Sequence, residues 1–324
     1  MKTVKAVIEV GPNFIFHLMA VARNGFDSDY AVRYRDTINA ADLAVLEEHR
    51  HDLVFRDGGS GTLAFLMIFF PAYLNLETSS ALGEYFDLLN IGLTKGDCHE
   101  FMSRYRAAFA RQREWTHSVG GEWILQKHLP YKDAITRLGE AYIRNLESYQ
   151  SHAWPIESDG MRRVATEINS YLDQADLIGR WESLVGIEFR HSVYQIVLCS
   201  AIKNGPSANS LGYERNVFYS GDDPDYMRKF ISHEVGTHIL FPVLRDLSDG
   251  RDPSLAYKAF ENLARYYNSL VLRTPELYPM SPYYDAGTFF GILEGIHRSR
   301  PGISPLELAL EGMAEYASLS RTDT

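Results

Sequence analysis

Ile231-Ser232-His233-Glu234-Val235-Gly236-Thr237-His238 is the stretch on which the reading of this chain turns. Two imidazoles bracket a carboxylate, with apolar Phe230, Ile239 and Leu240 on either side. The surrounding pattern predicts a helix from about Asp225 to Leu244. Asp223 or Asp225 can cap its start, and Pro224 suits a first helical turn. In the HExxH zinc pattern the histidines are four apart and share one helix face, while the glutamate reaches a metal-held water. Here they are five apart. At 3.6 residues per turn, five steps rotate by about 500°, leaving the rings roughly 140° apart instead of about 40°. A regular α-helix cannot aim both rings at one ion. A one-residue π-bulge restores the register, and Gly236 lowers the steric cost of that irregularity. The plain alternative is a pair of structural histidines hydrogen-bonded within a helix.

Upstream of the motif, Ile187 to Ala201 is rich in β-branched and aromatic residues, and Val193 to Cys199 reads as a buried strand. Lys203 to Ser207 reads as a turn and Asn216 to Tyr219 as a second short strand. The first 180 or so residues read as mostly helical. Gly96 to Trp123 carries Phe101, Tyr105, Ala108 and Phe109 at helical steps, with Asp97 and Glu100 spaced as a capping box. Tyr131 to Tyr149 and Met161 to Leu177 repeat the pattern, separated by an expected loop at Pro155 and Glu157 to Gly160. Aromatic residues at this spacing (Tyr105, Trp115, Trp123, Tyr142) belong to a core. The expected organisation is a helical region, 1–180, and a catalytic region, 181–324, as two domains or one continuous one.

Of the 324 residues, 45% are hydrophobic and 23% charged, which excludes wholesale disorder and fibrous repeats. Lys plus Arg number 32 against 42 Asp plus Glu, a net charge of −10 without a basic block, so no nucleic-acid partner is expected. No membrane partner is expected either. Thr62 to Leu76, the longest apolar run, contains Pro71 and falls short of a bilayer span, so it reads as a buried helix ending near the proline. Glu9, Pro12 and Asn13 interrupt the apolar stretch at the start, which argues against a signal peptide. Cys98 and Cys199 are too few for a disulfide framework. A cytoplasmic location is the expectation.

A third metal ligand is expected downstream, as in His2Glu zinc hydrolases. Glu261 lies 23 residues after His238 in an apolar helical stretch, and Glu311 lies near the C-terminus beside Gly312. A turn at Asp249 to Pro253 and a returning antiparallel helix starting near Ser254 bring Glu261 about 10 Å along its axis, level with His238. Glu311 is the alternative, reached only after the Thr274 to Pro282 loop and another helix.

These residues resemble the HExxxH metallopeptidases, the family that includes the tubulin tyrosine carboxypeptidases and uncharacterised bacterial relatives, which are similar to gluzincins. The resemblance covers Phe218 to Tyr267. It implies Zn2+ held by His233, His238 and Glu261, with Glu234 as general base. The fold expected is α+β, mostly α: a helical N-terminal region and a gluzincin-like core with a small sheet packed on the metal-binding helix. One departure is Asn262, where the family's glutamate is typically followed by glycine; Glu311 does have its Gly312. Tubulin as substrate is not implied.

The function expected is a zinc-dependent hydrolase, a metallopeptidase acting on a peptide or protein substrate. Two alternatives stand beside it: a non-catalytic binding or scaffold protein with a structural or relic metal site, and a non-haem iron oxygenase with a 2-His-1-carboxylate site. Tyr266, Tyr267, Tyr283, Tyr284, Arg215 and Arg265 are candidate oxyanion donors. Asn216 to Tyr219 is a candidate edge strand for pairing an extended peptide. His49 and His51 read as a solvated charged face, Asp57 to Gly61 as a flexible turn, Cys199 as core, Cys98 as a weak thiol candidate and His297 as an exposed helix end.

Overall fold

A computed structural model of the chain describes residues 2–26, 28–56, 59–116, 119–204, 208–274 and 281–322. It is mostly helical, 72%, with a small four-stranded mixed sheet, so the chain is α+β with α dominant. The chain divides into two compact units. One comprises 5–169 and 195–221, the other 1–4, 170–194 and 222–324. A single cut at 180 is not the division found. That point falls inside the helix Leu177–Val185, whose Trp181 is wholly buried. Residues 195–221 group with the N-terminal helices, not with the 181–324 stretch to which the sequence pattern assigned them.

The strands are β1 (Thr3–Val7), β2 (Phe55–Arg56), β3 (Gly59–Ser60), β4 (Val193–Cys199), β5 (Ala208–Gly212) and β6 (Arg215–Tyr219). The β2–β3 pair is a small antiparallel ladder by itself; the larger sheet has the order β1-β4-β6-β5. β4 and β6 run parallel, Val197 opposite Val217, while β5 returns antiparallel on β6. β4 matches the expected strand residue for residue. Its last four side chains are all buried, as suits an inner strand. The expectation that Asn216 to Tyr219 forms a sheet edge is overturned. β6 lies between β4 and β5, so its backbone donors and acceptors are already engaged on both sides. Gly205 to Ser207 of the expected turn, and Asp57 and Gly58 of the glycine-rich stretch, lie outside the described residues.

The core of the larger unit gathers Phe14, Leu18, Met67, Phe70, Tyr85, Leu138, Tyr142, Tyr149, Val197 and Val217. Pro71 does not end the apolar helix. The chain forms a π-helical turn, Phe65–Phe69, and continues as an α-helix to Leu74. Proline has no N–H and its ring crowds the carbonyl four residues back, here that of Met67; the wider π turn relieves both problems. Gly96 to Trp123 is not one helix but His99–Arg104, Arg106–Trp115 and Gly121–His128. The break at Tyr105 arranges the rings of Phe101, Tyr105 and Phe109 around Phe70, at 6.3, 6.1 and 4.4 Å. Asp97 accepts from the His99 amide at 2.8 Å, but the N-cap of His99–Arg104 is Cys98, one residue on from the expected cap. The expected loop at Pro155 to Gly160 is helical, within Trp154–Ala175, because proline in a first helical turn gives up no hydrogen bond.

His17, on the helix Val10–Val21, is wholly buried. Its Nδ1 lies 2.9 Å from the Tyr30 hydroxyl and its Nε2 lies 2.8 Å from Thr37 Oγ1. The Thr37 hydroxyl donates to the Tyr34 carbonyl, so it accepts from Nε2–H, and the Tyr30 phenol donates to Nδ1. The ring is thus a neutral Nε2–H tautomer. Burial holds its pKa down to about 3, against 6.5 ordinarily. Below pH 6.5 the unfolded chain binds a proton that the folded chain refuses, so this group's contribution to stability falls as pH drops from 6.5 toward 3. The limiting slope is about 1.4 kcal/mol per pH unit. His17→Gln should flatten that part of the dependence in denaturant unfolding between about pH 6.5 and pH 4. An unchanged slope would remove His17 as its source.

Candidate metal centre

The smaller unit is organised around the helix Pro253–Leu272. It packs against Leu177–Val185, Pro224–Ile239, Phe241–Ser248, Ala286–Ser299 and Pro305–Thr322. Asp252 caps it, accepting from the Ser254 amide at 2.9 Å. The motif helix, Pro224–Ile239, is capped by Asp223, which accepts from the amides of Asp225 and Tyr226 at 2.9 and 3.1 Å. It stops short of the expected Leu244. Pro242 has no N–H for the His238 carbonyl, so the chain breaks at Leu240 and resumes as Phe241–Ser248. The two long helices run antiparallel: Asn268 donates to the Lys229 carbonyl at 2.9 Å, while Glu261, about two turns earlier, meets His233.

The expected π-bulge is absent, and residues 233–238 are regular α-helix. Gly236 serves a different purpose. A Cβ there would lie 2.2 Å from the Trp181 ring, and the Trp181 indole N–H donates to Ser232 Oγ at 3.2 Å. Ser232 and Gly236, four residues apart, share one helix face, and the indole lies along it. Without the bulge the two imidazoles diverge as helix geometry requires. His233 Nε2 is 3.1 Å from Glu261 Oε2, whereas the His238 ring meets Tyr194 edge-on at 5.1 Å.

Two ligands at about 2.0–2.2 Å from a tetrahedral zinc are themselves about 3.3 Å apart. The separation of 3.1 Å between His233 and Glu261 therefore fits either a direct contact or a shared ion. His238, as placed, completes no such set. Among the described residues no group of three or more His, Cys, Asp or Glu side chains is arranged to hold one metal ion. Glu311 is paired with Arg300 on a half-exposed surface, while the Glu261 side chain is 13% exposed against a buried imidazole.

Glu234 stands out by its access. From Ile231 to Leu240 every residue is buried except Glu234, which is half-buried. Glu234 is thus the one side chain of that stretch with substantial access to solvent. A residue that the sequence pattern had not singled out joins the cluster. Tyr257 stands one turn before Glu261 on the same helix, Pro253–Leu272. Its phenol is pushed far above its ordinary pKa, first by burial, then by the charge of Glu261, with Glu234 adding to it. The signal was present in the four-residue spacing, which places both on one helix face.

The other candidates are elsewhere engaged. Tyr266 bonds His297 Nδ1 at 2.7 Å, which gives that histidine a partner rather than a bare helix end. Tyr267 is buried, and Tyr283 meets Ser254 Oγ at 2.7 Å. The Tyr284 ring lies 6.3 Å from that of Tyr257. Arg215 belongs to β6 in the other unit and is ion-paired with Glu9. His49 neighbours Glu48 and Asp52 in the expected charged run. Burial raises the Cys98 thiol to about 11 and the Cys199 thiol to about 12, so neither is a ready nucleophile. No helix among the described residues is long and apolar enough to cross a membrane. No family model, curated protein or solved structure matches the chain.

Proposed function

We propose that this protein is a zinc-dependent hydrolase of peptide bonds, a metallopeptidase working on a peptide or protein substrate. The observation that carries the reading is the contact of His233 with Glu261 beside the half-buried Glu234. His233 and Glu261 would hold the metal; His238, the third ligand that the resemblance implies, lies against Tyr194 and would have to turn toward the pair to join them. Zinc bound there would supply a Lewis acid for the scissile carbonyl and acidify a water it holds. Glu234 takes a proton from the attacking water and passes it to the leaving amine nitrogen.

A second reading, a non-catalytic protein with a structural or relic site, draws on one observation: His238 sits against Tyr194 rather than with the pair. Substitution at the two glutamates tests the ligand assignment. Glu261→Ala should weaken zinc affinity by orders of magnitude, because it removes a first ligand. Glu311→Ala should leave affinity nearly unchanged, because Glu311 answers Arg300 at the surface. Chelator-competition titration reads both, and the reverse pattern would move the third ligand to the C-terminal helix.

A further inference from the structure

We propose that residues 177–194 form a clasp that holds the motif helix in its regular register and so keeps His238 apart from His233 and Glu261. As placed, those three side chains do not surround one ion, and the clasp is what keeps them so. The register belongs to the metal-free chain; only its bearing on a metal site rests on the reading above. Histidines five apart come onto one face when a turn between them takes in one extra residue, and a glycine there lowers the cost. The helix instead stays regular through the motif, with the Leu240 amide donating to the Gly236 carbonyl at 2.8 Å.

Two side chains of the segment grip the helix. Trp181, wholly buried on Leu177–Val185, lies along the face shared by Ser232 and Gly236 and donates to Ser232 Oγ at 3.2 Å. An extra residue in that turn would bring Thr237, instead of Gly236, to the indole. Even a Cβ at Gly236 would stand 2.2 Å from the ring, so Thr237 has no room there. Tyr194, the second residue of β4, meets the His238 ring edge-on at 5.1 Å. Behind it lies wholly buried Phe189, its ring 6.0 Å from that of Tyr194. Lys2 fastens the segment. Its ammonium donates to Glu182 at 2.7 Å, to Glu188 at 2.9 Å and to the Phe189 carbonyl at 2.6 Å. Glu182 also accepts from the Phe189 amide at 2.7 Å. One lysine thus ties the residue after Trp181 to the residue that backs Tyr194.

The test is amide hydrogen exchange of the metal-free full chain, with the helix Pro253–Leu272 as the internal reference. Trp181→Phe loses the indole donor and clears room beside Gly236. It should speed exchange at Thr237 to Leu240 about 10-fold relative to the reference helix, the effect of losing one buried hydrogen bond and its packing. Lys2→Gln leaves both gripping side chains in place and should speed exchange there in the same direction. Unchanged exchange at Thr237 to Leu240 in both variants would overturn the clasp. So would a speeding shared equally by the reference helix, which is general loosening. Zinc affinity, read by competition with a chromophoric chelator, separates the clasp from the metal reading. If wild type binds zinc, both variants should bind it more tightly, because more of the chain holds the competent register. Affinity no tighter than wild type would overturn the hold on His238 and leave the metal reading standing. If none of the three proteins binds zinc, the metal reading fails and the exchange result alone decides the clasp.

Discussion

Glu234→Gln should lower peptide-bond hydrolysis by on the order of 10²–10⁴-fold, the range of a lost general base, and leave zinc content unchanged. The amide keeps the shape and hydrogen-bonding reach of the carboxylate but cannot accept a proton at neutral pH. Glu234 is also the half-buried residue in a run otherwise buried from Ile231 to Leu240, so the substitution disturbs little packing. His233→Ala should differ in kind, because it removes a ligand: metal and activity are lost together. Retained hydrolysis in Glu234→Gln, measured on purified protein with its metal quantified, would show that the base lies elsewhere.

Gly236→Ala should destabilise the fold by about 1–3 kcal/mol, the cost of overpacking a filled core. Two effects compete. Alanine is the better helix former by about 1 kcal/mol, which favours the substitution wherever the face is open. At Gly236 the new methyl would lie 2.2 and 2.3 Å from ring carbons of Trp181. That indole is wholly buried and bonded to Ser232, so it cannot retreat cheaply. The clash wins. Gly83→Ala, on the helix Ser79–Lys95, supplies the contrast, since a Cβ there meets nothing within 4 Å and should stabilise. Trp181→Phe combined with Gly236→Ala should recover part of the loss, because the smaller ring vacates the space. Denaturant unfolding measures all three, and a Gly236→Ala protein as stable as wild type would contradict the packing.

The parts of this chain legible in its sequence are those set by local chemistry. β4 was readable from its β-branched run, the motif helix from Asp223-Pro224, and the return helix from the turn at Asp249 to Pro253, its expected start near Ser254 lying one residue after the observed one. β1 was missed although Val4 and Ala6 alternate with exposed Thr3 and Lys5, because five residues carry too short a pattern. The same applies to β5. The role of Gly236 depends on Trp181, 55 positions away, and no local pattern carries that contact. The five-residue histidine spacing was legible and so was its conflict with a regular helix; the helix proved regular, and His233 found Glu261 while His238 did not. Between the two candidate glutamates, helix geometry favoured the one that lies against His233.

Elemental analysis of the purified, exhaustively dialysed protein, repeated on His233→Ala, tests the metal centre most directly. About one zinc per chain in wild type, lost in the variant, is the predicted result. Iron in place of zinc would turn the reading toward an oxygenase with a 2-His-1-carboxylate site. No metal in wild type, even after zinc is supplied in growth and refolding, would contradict the hydrolase outright.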